Sequence, residues 1–507
     1  MDFSVEKDLL CSCRIIREAK AEQTVDSDMT LPDYCPDIKS ILRCSVEPGI
    51  NSVNVTGNRI TAQGNAVIRL VYVSTDDKIS CFEQNYPMDK YVEMSSLTAE
   101  CQAVATAKVS YVNCRAVSPR RVDIHGCISV MFSVFRCEKH EYVSGVAGDC
   151  VQLRFQPLTV CNAVGCTAKL FDMSEVVPVG NVESPVKSIA YADGFALLNE
   201  IKAVSNKLLL KGEFVLNAAL CCEDGTVRKT EHTMPISRIV ELDGVDESCI
   251  CDVSTKVCSL DVQLRADENG NMQNLDMAVC VKAFVCAYRE CKCACVQDAY
   301  SLKSELELSK SAVEVSRYVQ AVDENFLVAF QTELDGCEKG EIIDCRCDAV
   351  TSVSTSSQEG IEVSGTVTVC ITYLDDDGKP TMAQRRSDYH FLKAVNGADG
   401  KLMCNSDVVA VAVSANGRGS AVSVKVQLNI KGMVFENRSV SLVSDVREIK
   451  SAKSSDSSSI TVYFSDMGES LWDIAKRYNT SEEAIRRRNS IKGDVIESET
   501  MLIIPQV

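Results

Sequence analysis

The chain alternates apolar and polar residues over long stretches, and one such pattern occurs three times. Each copy has a glycine near its start, continues as a run in which about every second residue is apolar, and ends in an acidic turn. Alternation of this kind predicts a β-strand with one buried face, followed by a hairpin. The copies cover residues 63–77, 211–225 and 364–378. Their spacing of about 150 residues is the size of a domain rather than of a solenoid repeat.

Two further alternating runs follow each copy. The last runs of the three sets cover residues 122–135, 275–288 and 426–439. Alternation over such lengths predicts antiparallel sheets with one buried face, so the predicted fold class is mainly β. Two sheet-like halves per unit favour a sandwich-like arrangement. The predicted domains are three repeated units at residues 1–150, 151–299 and 300–447.

The C-terminal segment, residues 460–507, has a different pattern. Residues 460–464 are β-branched or aromatic and predict a strand, and residues 501–505 predict a second one. Apolar residues at helical spacing from Leu471 predict a helix, and a second helix follows it, giving the order strand, helix, helix, strand. The candidate helix-capping residues are Asp466, Glu469 and Ser470 for the first helix and Thr480 and Ser481 for the second.

This small domain resembles a LysM domain. The resemblance rests on GESLWDIA at residues 468–475, RYN at 477–479, Asn489, and LIIP at 502–505. It implies a βααβ fold and a groove between two loops that binds glycans containing N-acetylglucosamine. The implied groove residues are Asp466, Met467, Gly468, Glu469, Ser470, Ile491, Lys492, Gly493 and Asp494.

Two of these loop residues depart from the usual LysM pattern. Met467 and Glu469 lie where glycan-binding members usually carry small polar residues, and this favours a protein partner over a glycan. Trp472 and Tyr478 are expected to pack in the core of the small domain.

The three larger units resemble the SPOCS domains of clostridial spore-coat proteins. The resemblance rests on LPDYCPDI at residues 31–38, on the glycine-led strands and on the threefold repetition over about residues 25–445. Such repeats followed by one LysM domain imply a spore-coat and envelope morphogenesis adaptor that is not an enzyme. The implied partner is the morphogenetic ATPase of the coat basement layer, bound at the forespore surface. Peptidoglycan binding through the LysM domain is the alternative function.

A serine-rich run separates the two parts. Residues 448–459 include KSAKSSDSSS, which lacks the apolar residues of a core and predicts a flexible linker that leaves the LysM domain mobile.

Charge and apolar content restrict the location and the partners. The net charge of −18 disfavours nucleic acid and anionic lipid. The N-terminal residues lack the basic and apolar regions of a signal peptide, and no apolar run is long enough to span a membrane. We therefore expect a cytoplasmic protein, in the mother cell of a sporulating bacterium if the SPOCS resemblance holds.

The chain contains 27 cysteines. The odd number and the absence of an export signal predict reduced thiols that pack as small apolar side chains, with Cys280 and Cys286 as examples. Cys291, Cys293 and Cys295 should share one face of a strand. No C-x2-C hook accompanies them, so neither a metal site nor a cofactor is predicted.

No catalytic motif was found. The sequence lacks a G-x-S-x-G elbow, a P-loop, a dinucleotide fingerprint and an H-E-x-x-H motif. The four histidines are dispersed. A cysteine-dependent enzyme is the third and least favoured hypothesis, after the adaptor and the peptidoglycan-binding protein.

Overall fold

The computed structural model shows a chain built almost entirely of antiparallel β-strands. It describes residues 3–95, 97, 101–148, 150–180, 184–224, 226–268, 270–338, 341–397, 400–449 and 460–505. The predicted linker at 448–459 lies, apart from its first two residues, outside the described residues.

The first unit consists of six strands in two three-stranded sheets. The strands are β1 (Ser4–Thr30), β2 (Ile38–Thr56), β3 (Arg59–Ser74), β4 (Ile79–Glu93), β5 (Gln102–Ser118) and β6 (Arg121–Ala147). One sheet has the order β2-β3-β4 and the other has the order β1-β6-β5. The alternating run at residues 63–73 is therefore the central strand of the first sheet, and the run at 122–135 belongs to the central strand of the second.

The second unit has the same strand order. Its strands are β7 (Val151–Pro178), β8 (Val186–Val204), β9 (Lys207–Cys222), β10 (Val227–Glu241), β11 (Cys249–Ala266) and β12 (Met272–Ser301). They form the sheets β8-β9-β10 and β7-β12-β11.

The third unit differs by one interruption. Its strands are β13 (Glu305–Glu333), β14 (Ile342–Val350), β15 (Val353–Ser356), β16 (Gly360–Leu374), β17 (Pro380–Ala394), β18 (Lys401–Arg418) and β19 (Ala421–Ile449). β14 and β15 take the place of one strand beside β16, with β17 on its other edge, and the second sheet is β13-β19-β18. The predicted fold class of repeated antiparallel sheets is confirmed, whereas the exact domain boundaries stay a prediction.

Each unit has its own hydrophobic core between its two sheets. Ile68 of β3 and Phe132 of β6 belong to the core of the first unit. Leu216 of β9 and Val285 of β12 hold the same places in the second unit, which adds the fully buried Phe214. Burial of one face of each central strand explains why the alternation in these runs is so regular.

The repeated glycines lie where two strands approach closely. If one of these glycines carried a Cβ atom, that atom would collide with a carbonyl oxygen of the neighbouring strand. In each case the neighbouring strand has a bulge or a break at or next to this carbonyl. The distances from this Cβ position are 1.9 Å to Gly49 O for Gly64, 2.0 Å to Leu197 O for Gly212, and 1.8 Å to Thr351 O for Gly365. The glycine that marks each repeat in the sequence is therefore a packing requirement of the sheet.

The ends of the long central strands pack together across the three units. Val143 of β6, Val296 of β12 and Val443 of β19 belong to one buried cluster. In each of these strands, the residue directly after the valine is a bulge that has no partner in the pairing with β1, β7 or β13. The three units thus contribute equivalent positions to a shared apolar centre.

One predicted cysteine state is wrong. Cys166 of β7 and Cys286 of β12 are paired residues on neighbouring strands, with Cα atoms 4.2 Å apart, and they form a disulfide. Cys286 is therefore not a reduced packing residue. Directly opposed positions on antiparallel strands lie close enough for this bond, which the sequence could not distinguish among so many cysteines.

We expect Cys166→Ser to lower the stability of the oxidised chain by about 2–4 kcal/mol, because the bond closes a long loop in the unfolded state. The sequence separation of the two cysteines is 120. Thermal unfolding with and without a reductant measures the effect. Cys280→Ser, on the same strand as Cys286, is the matched control and should leave the midpoint nearly unchanged. Equal midpoints for the native chain and both variants under oxidising conditions would argue against the bond.

The C-terminal module has the predicted order. It consists of β20 (Ile460–Ser465), α1 (Leu471–Arg477), α2 (Glu482–Asn489) and β21 (Thr500–Pro505), with β20 and β21 antiparallel. Within the part of the chain that the structure describes, neither helix has the length and apolar character needed to cross a bilayer.

Candidate functional site

The first predicted loop connects β20 to α1 and makes a tight turn. Gly468 has a φ of +90°, a conformation that favours glycine. The Glu469 carboxylate accepts a hydrogen bond from the Tyr463 hydroxyl at 2.8 Å and one from the Asp466 amide at 3.1 Å. The bond to Glu469 raises the pKa of Tyr463. Glu469 thus fastens its own loop, while Met467 at the tip is 75% exposed.

The second predicted loop follows α2 and is held by one arginine. The Arg486 guanidinium donates to Lys492 O at 3.2 Å and to Gly493 O at 2.9 Å. It also pairs with the Asp494 carboxylate, whose side chain stays largely in solvent. The Lys492 side chain is exposed as well.

Backbone hydrogen bonds join the two loops. Leu471 N donates to Asp494 O at 2.9 Å, and Gly468 N donates to Ile496 O at 2.8 Å. Ile496 N donates in turn to Glu469 O at 2.9 Å. The structure therefore brings the two predicted loops together, with Met467, Lys492 and Asp494 on the exposed surface. Whether these residues bind a ligand stays a prediction.

The helix caps differ from one another. Ser470 occupies the N-cap position of α1, but its side chain makes no capping hydrogen bond. Ser481 caps α2, because its hydroxyl accepts from Ala484 N at 3.2 Å. Asn489 closes the other end of α2 and exchanges two hydrogen bonds of 2.8 Å with the Ile503 backbone of β21.

The module does not stand free of the scaffold. Trp472 is only 5% exposed, and its ring meets that of Tyr300, at the end of β12, edge-on at 4.8 Å. Its indole nitrogen donates to the Asp298 carboxylate at 2.9 Å. The Tyr300 hydroxyl donates to Thr480 O at 2.8 Å. The expected burial of Trp472 is present, but its partners include the second unit as well as the module.

Electrostatics reinforce this contact. Lys476 donates to both oxygens of Asp298 at 2.7 Å. Burial by itself raises the pKa of Asp298, but the hydrogen bonds from Lys476 and Trp472 outweigh it and hold the pKa below the ordinary value. Asp298 is therefore ionised at neutral pH and attracts the module. Glu482 of α2 lies near Arg154 of the second unit. Burial raises the pKa of Glu482, and the positive charges of Arg486 and Arg154 oppose this shift.

These contacts contradict the prediction that the LysM module is mobile relative to the scaffold. A flexible linker was expected to leave the LysM segment without a fixed position, yet an aromatic pair, a buried hydrogen bond and an ion pair hold it to β12. The equivalent positions to Tyr300 in the other units are Ala147 and Arg447, judged from the strand pairing. Only the second unit thus offers the aromatic ring at this position.

We expect this contact to weaken in acid. Because the pKa of Asp298 is lowered, its contribution is fully present above the ordinary aspartate pKa of about 4 and is lost as the pH falls through the lowered value. Emission of Trp472, the only tryptophan, should shift to the red over this range, with circular dichroism confirming that the strands persist. Asp298→Asn should already show the shifted emission at neutral pH; a variant identical to the native chain at every pH would contradict the assignment.

The cysteine run on β12 lies in an apolar cluster. Cys295 is buried and Cys291 and Cys293 pack against the same cluster, together with residues from all three units. Burial raises the pKa of Cys295 to about 11, so its thiol is protonated at neutral pH. Among the residues that the structure describes, no three His, Cys, Asp or Glu side chains are arranged to hold a metal ion.

Each histidine ring lies close to a carboxylate. His125 contacts Asp26, and the other pairs are His140 with Glu138, His232 with Glu175, and His390 with Glu362.

Comparison with known families gives two matches. Residues 37–117 match the family described as SipL, SPOCS domain, and residues 467–505 match the LysM domain family. The first match extends from β2 to β5 of the first unit, and the second covers most of the C-terminal module. Neither the curated proteins nor the solved structures contain a match to the chain.

The protein is therefore one that carries a SPOCS domain and a LysM domain, both of the binding or adaptor class. This combination is of the SipL type, and it makes the chain a sporulation-related protein with a module of the peptidoglycan-binding class. The predicted resemblance to SPOCS and LysM proteins is confirmed.

Sequence reasoning did not find Asp298 and Tyr300. Both lie on β12, where the alternation of apolar and polar residues is already accounted for by the core of the second unit. The only local signal is that Tyr300 comes near the end of that strand, where a large aromatic residue needs a partner.

Proposed function

We propose that this protein is a non-enzymatic adaptor of spore-coat and envelope assembly. In this proposal the LysM module binds the morphogenetic ATPase of the coat basement layer, at the forespore surface and in the mother-cell cytoplasm. The loops at residues 466–470 and 491–494 form the contact.

The observation that carries the proposal is the chemistry of the first loop. Its tip is Met467, which is apolar and 75% exposed, and the Glu469 carboxylate is occupied inside the loop. A sugar needs convergent polar groups and an aromatic face, whereas the single tryptophan is buried against the scaffold. An exposed apolar tip flanked by the charges of Lys492 and Asp494 is typical of a protein-binding surface.

The scaffold supports the same role. The match to the SPOCS family covers residues 37–117 of the first unit, but all three units share the order of two antiparallel sheets. We therefore extend the SPOCS assignment to residues 151–299 and 300–447. Three such units give the module a large rigid support, as an adaptor between two layers requires.

The second candidate function is peptidoglycan binding. The LysM match favours it directly, because binding of N-acetylglucosamine glycans is the common property of this class. In that case the same two loops hold the glycan, and the coat ATPase is not a partner.

The test uses the full chain and both ligands. We expect binding to the purified ATPase and no retention on peptidoglycan. Met467→Ser and Lys492→Glu should each weaken ATPase binding about tenfold or more if these side chains are important contacts. The matched controls are Met272→Ser and Lys207→Glu, which make the same changes at exposed positions of the second unit.

The outcomes separate the hypotheses. Retention on peptidoglycan without ATPase binding would replace the adaptor function by the second candidate. ATPase binding that neither loop variant weakens would keep the adaptor function but remove the loops as the contact.

A further inference from the structure

The outer face of the β20–β21 sheet is apolar along its length. Val462 pairs with Ile503 and Phe464 with Met501, and all four side chains point away from the helices. Val462, Phe464 and Met501 are 53%, 74% and 55% exposed in the intact chain. In contrast, Leu502 and Ile504 alternate with them and are buried beneath the helices. A sheet of two strands with both faces apolar is unusual for a solvated surface.

The apolar surface continues beyond one end of this sheet. Met467 and Val495 lie on the two loops that leave the Ser465–Thr500 pair, and both are exposed. We call Val462, Phe464, Met501, Met467 and Val495 the sheet-face patch. Single exposed apolar residues need no explanation, but five in a module of this size are typical of an interaction surface.

Scaffold docking leaves this patch open. The second unit contacts the module through Trp472, Lys476 and Thr480, which belong to α1 and the turn after it. Val462, Phe464 and Met501 lie on the opposite side of the sheet from both helices. The module is therefore held by one side and presents the other to solvent.

Charge indicates the kind of partner. Asp466, Glu497 and Glu499 border the patch at its Ser465–Thr500 end, and all three are exposed. They outnumber Lys492, the one basic residue of the two loops. None of them forms an ion pair with another described residue. The whole chain carries a net charge of −18. This acidic border repels a second copy of the chain and an anionic membrane, and it attracts a partner with Lys or Arg around an apolar centre.

We propose that the sheet-face patch docks a protein segment that is apolar at its centre and basic at its border. The proposed ATPase contact consists of the loops at residues 466–470 and 491–494. The sheet-face patch shares only Met467 with these loops. The module would thus link the scaffold on one side to a basic, amphipathic protein segment on the other.

The test measures binding of the full chain to a short amphipathic peptide of leucine and lysine, with the leucine and glutamate analogue for comparison. We expect the lysine peptide to bind and the glutamate peptide not to bind. The double variant Phe464→Ser, Met501→Ser should weaken binding about tenfold or more. Its control is Ile239→Ser, Met403→Ser, which removes two exposed apolar side chains from the scaffold at the same net charge.

A second pair of variants tests the acidic border. Glu497→Lys combined with Glu499→Lys should weaken binding of the lysine peptide, and the loss should diminish at high salt. Equal peptide binding by the native chain and the Phe464→Ser, Met501→Ser variant would overturn the proposal. The proposal would also fail if the patch bound phosphatidylglycerol vesicles and not the peptide. It would fail as well if light scattering detected a dimer that the Phe464→Ser, Met501→Ser variant abolishes.

The ATPase experiment remains separate. If the native chain binds the lysine peptide through the patch but not the ATPase, the proposed function fails and the docking surface stands. If it binds the ATPase but not the peptide, the proposed function stands and the docking surface fails.

Discussion

Replacing Tyr300 by alanine is expected to release the LysM module from the second unit without unfolding either part. The variant loses the edge-on contact with Trp472 and the hydrogen bond to Thr480 O. An aromatic pair and a buried hydrogen bond each contribute about 1 kcal/mol, so the ratio of docked to undocked chains should fall about thirtyfold or more. Tyr300 lies at the end of β12, and its side chain packs on the module rather than in the core of its own unit.

The single tryptophan makes this measurement simple. Loss of docking exposes one side of Trp472, so its emission should shift to longer wavelength and become accessible to acrylamide. Tyr34→Ala is the matched control, because Tyr34 is 82% exposed in the turn between β1 and β2. Unchanged emission and quenching in Tyr300→Ala would mean that Tyr300 does not hold the module.

Replacing Gly212 by alanine should destabilise the second unit. The added Cβ would lie 2.0 Å from the Leu197 carbonyl oxygen, and the nearest atoms belong to backbone that cannot rotate away. The bulge in β8 must then shift, at a cost of about 1–3 kcal/mol or more. The midpoint of denaturant unfolding measures the effect.

A second glycine of the same unit is the control. At Gly165 the nearest atom to an added Cβ is the end of the Leu242 side chain at 3.0 Å, which can move by a few tenths of an ångström. Gly165→Ala should therefore change the midpoint little. If both variants unfold at the same denaturant concentration, the close approach at Gly212 is not a constraint on the fold.

Local patterns in the sequence predict most of the fold. The central strands β3, β9 and β16 follow from alternation, and the glycine before each run marks the close approach of the neighbouring strand. The βααβ module follows from helical spacing and from its motifs. These features depend on residues close together in the chain, which is why a sequence displays them.

The remaining features depend on contacts that are distant in sequence. Asp298 and Trp472 are 174 residues apart, and neither residue has a local signal for the other. The disulfide joins two cysteines among 27, and pairing cannot be deduced from their positions in the sequence alone.

The second unit holds the module by its helical side. Zero-length crosslinking tests this arrangement, because Lys476 Nζ lies 2.7 Å from the Asp298 carboxylate. A carbodiimide should join these two side chains as an amide with loss of water, and mass spectrometry should find the crosslinked peptides in the native chain and not in Lys476→Gln. A chain in which Lys476 crosslinks to other carboxylates but never to Asp298 would contradict the docked arrangement.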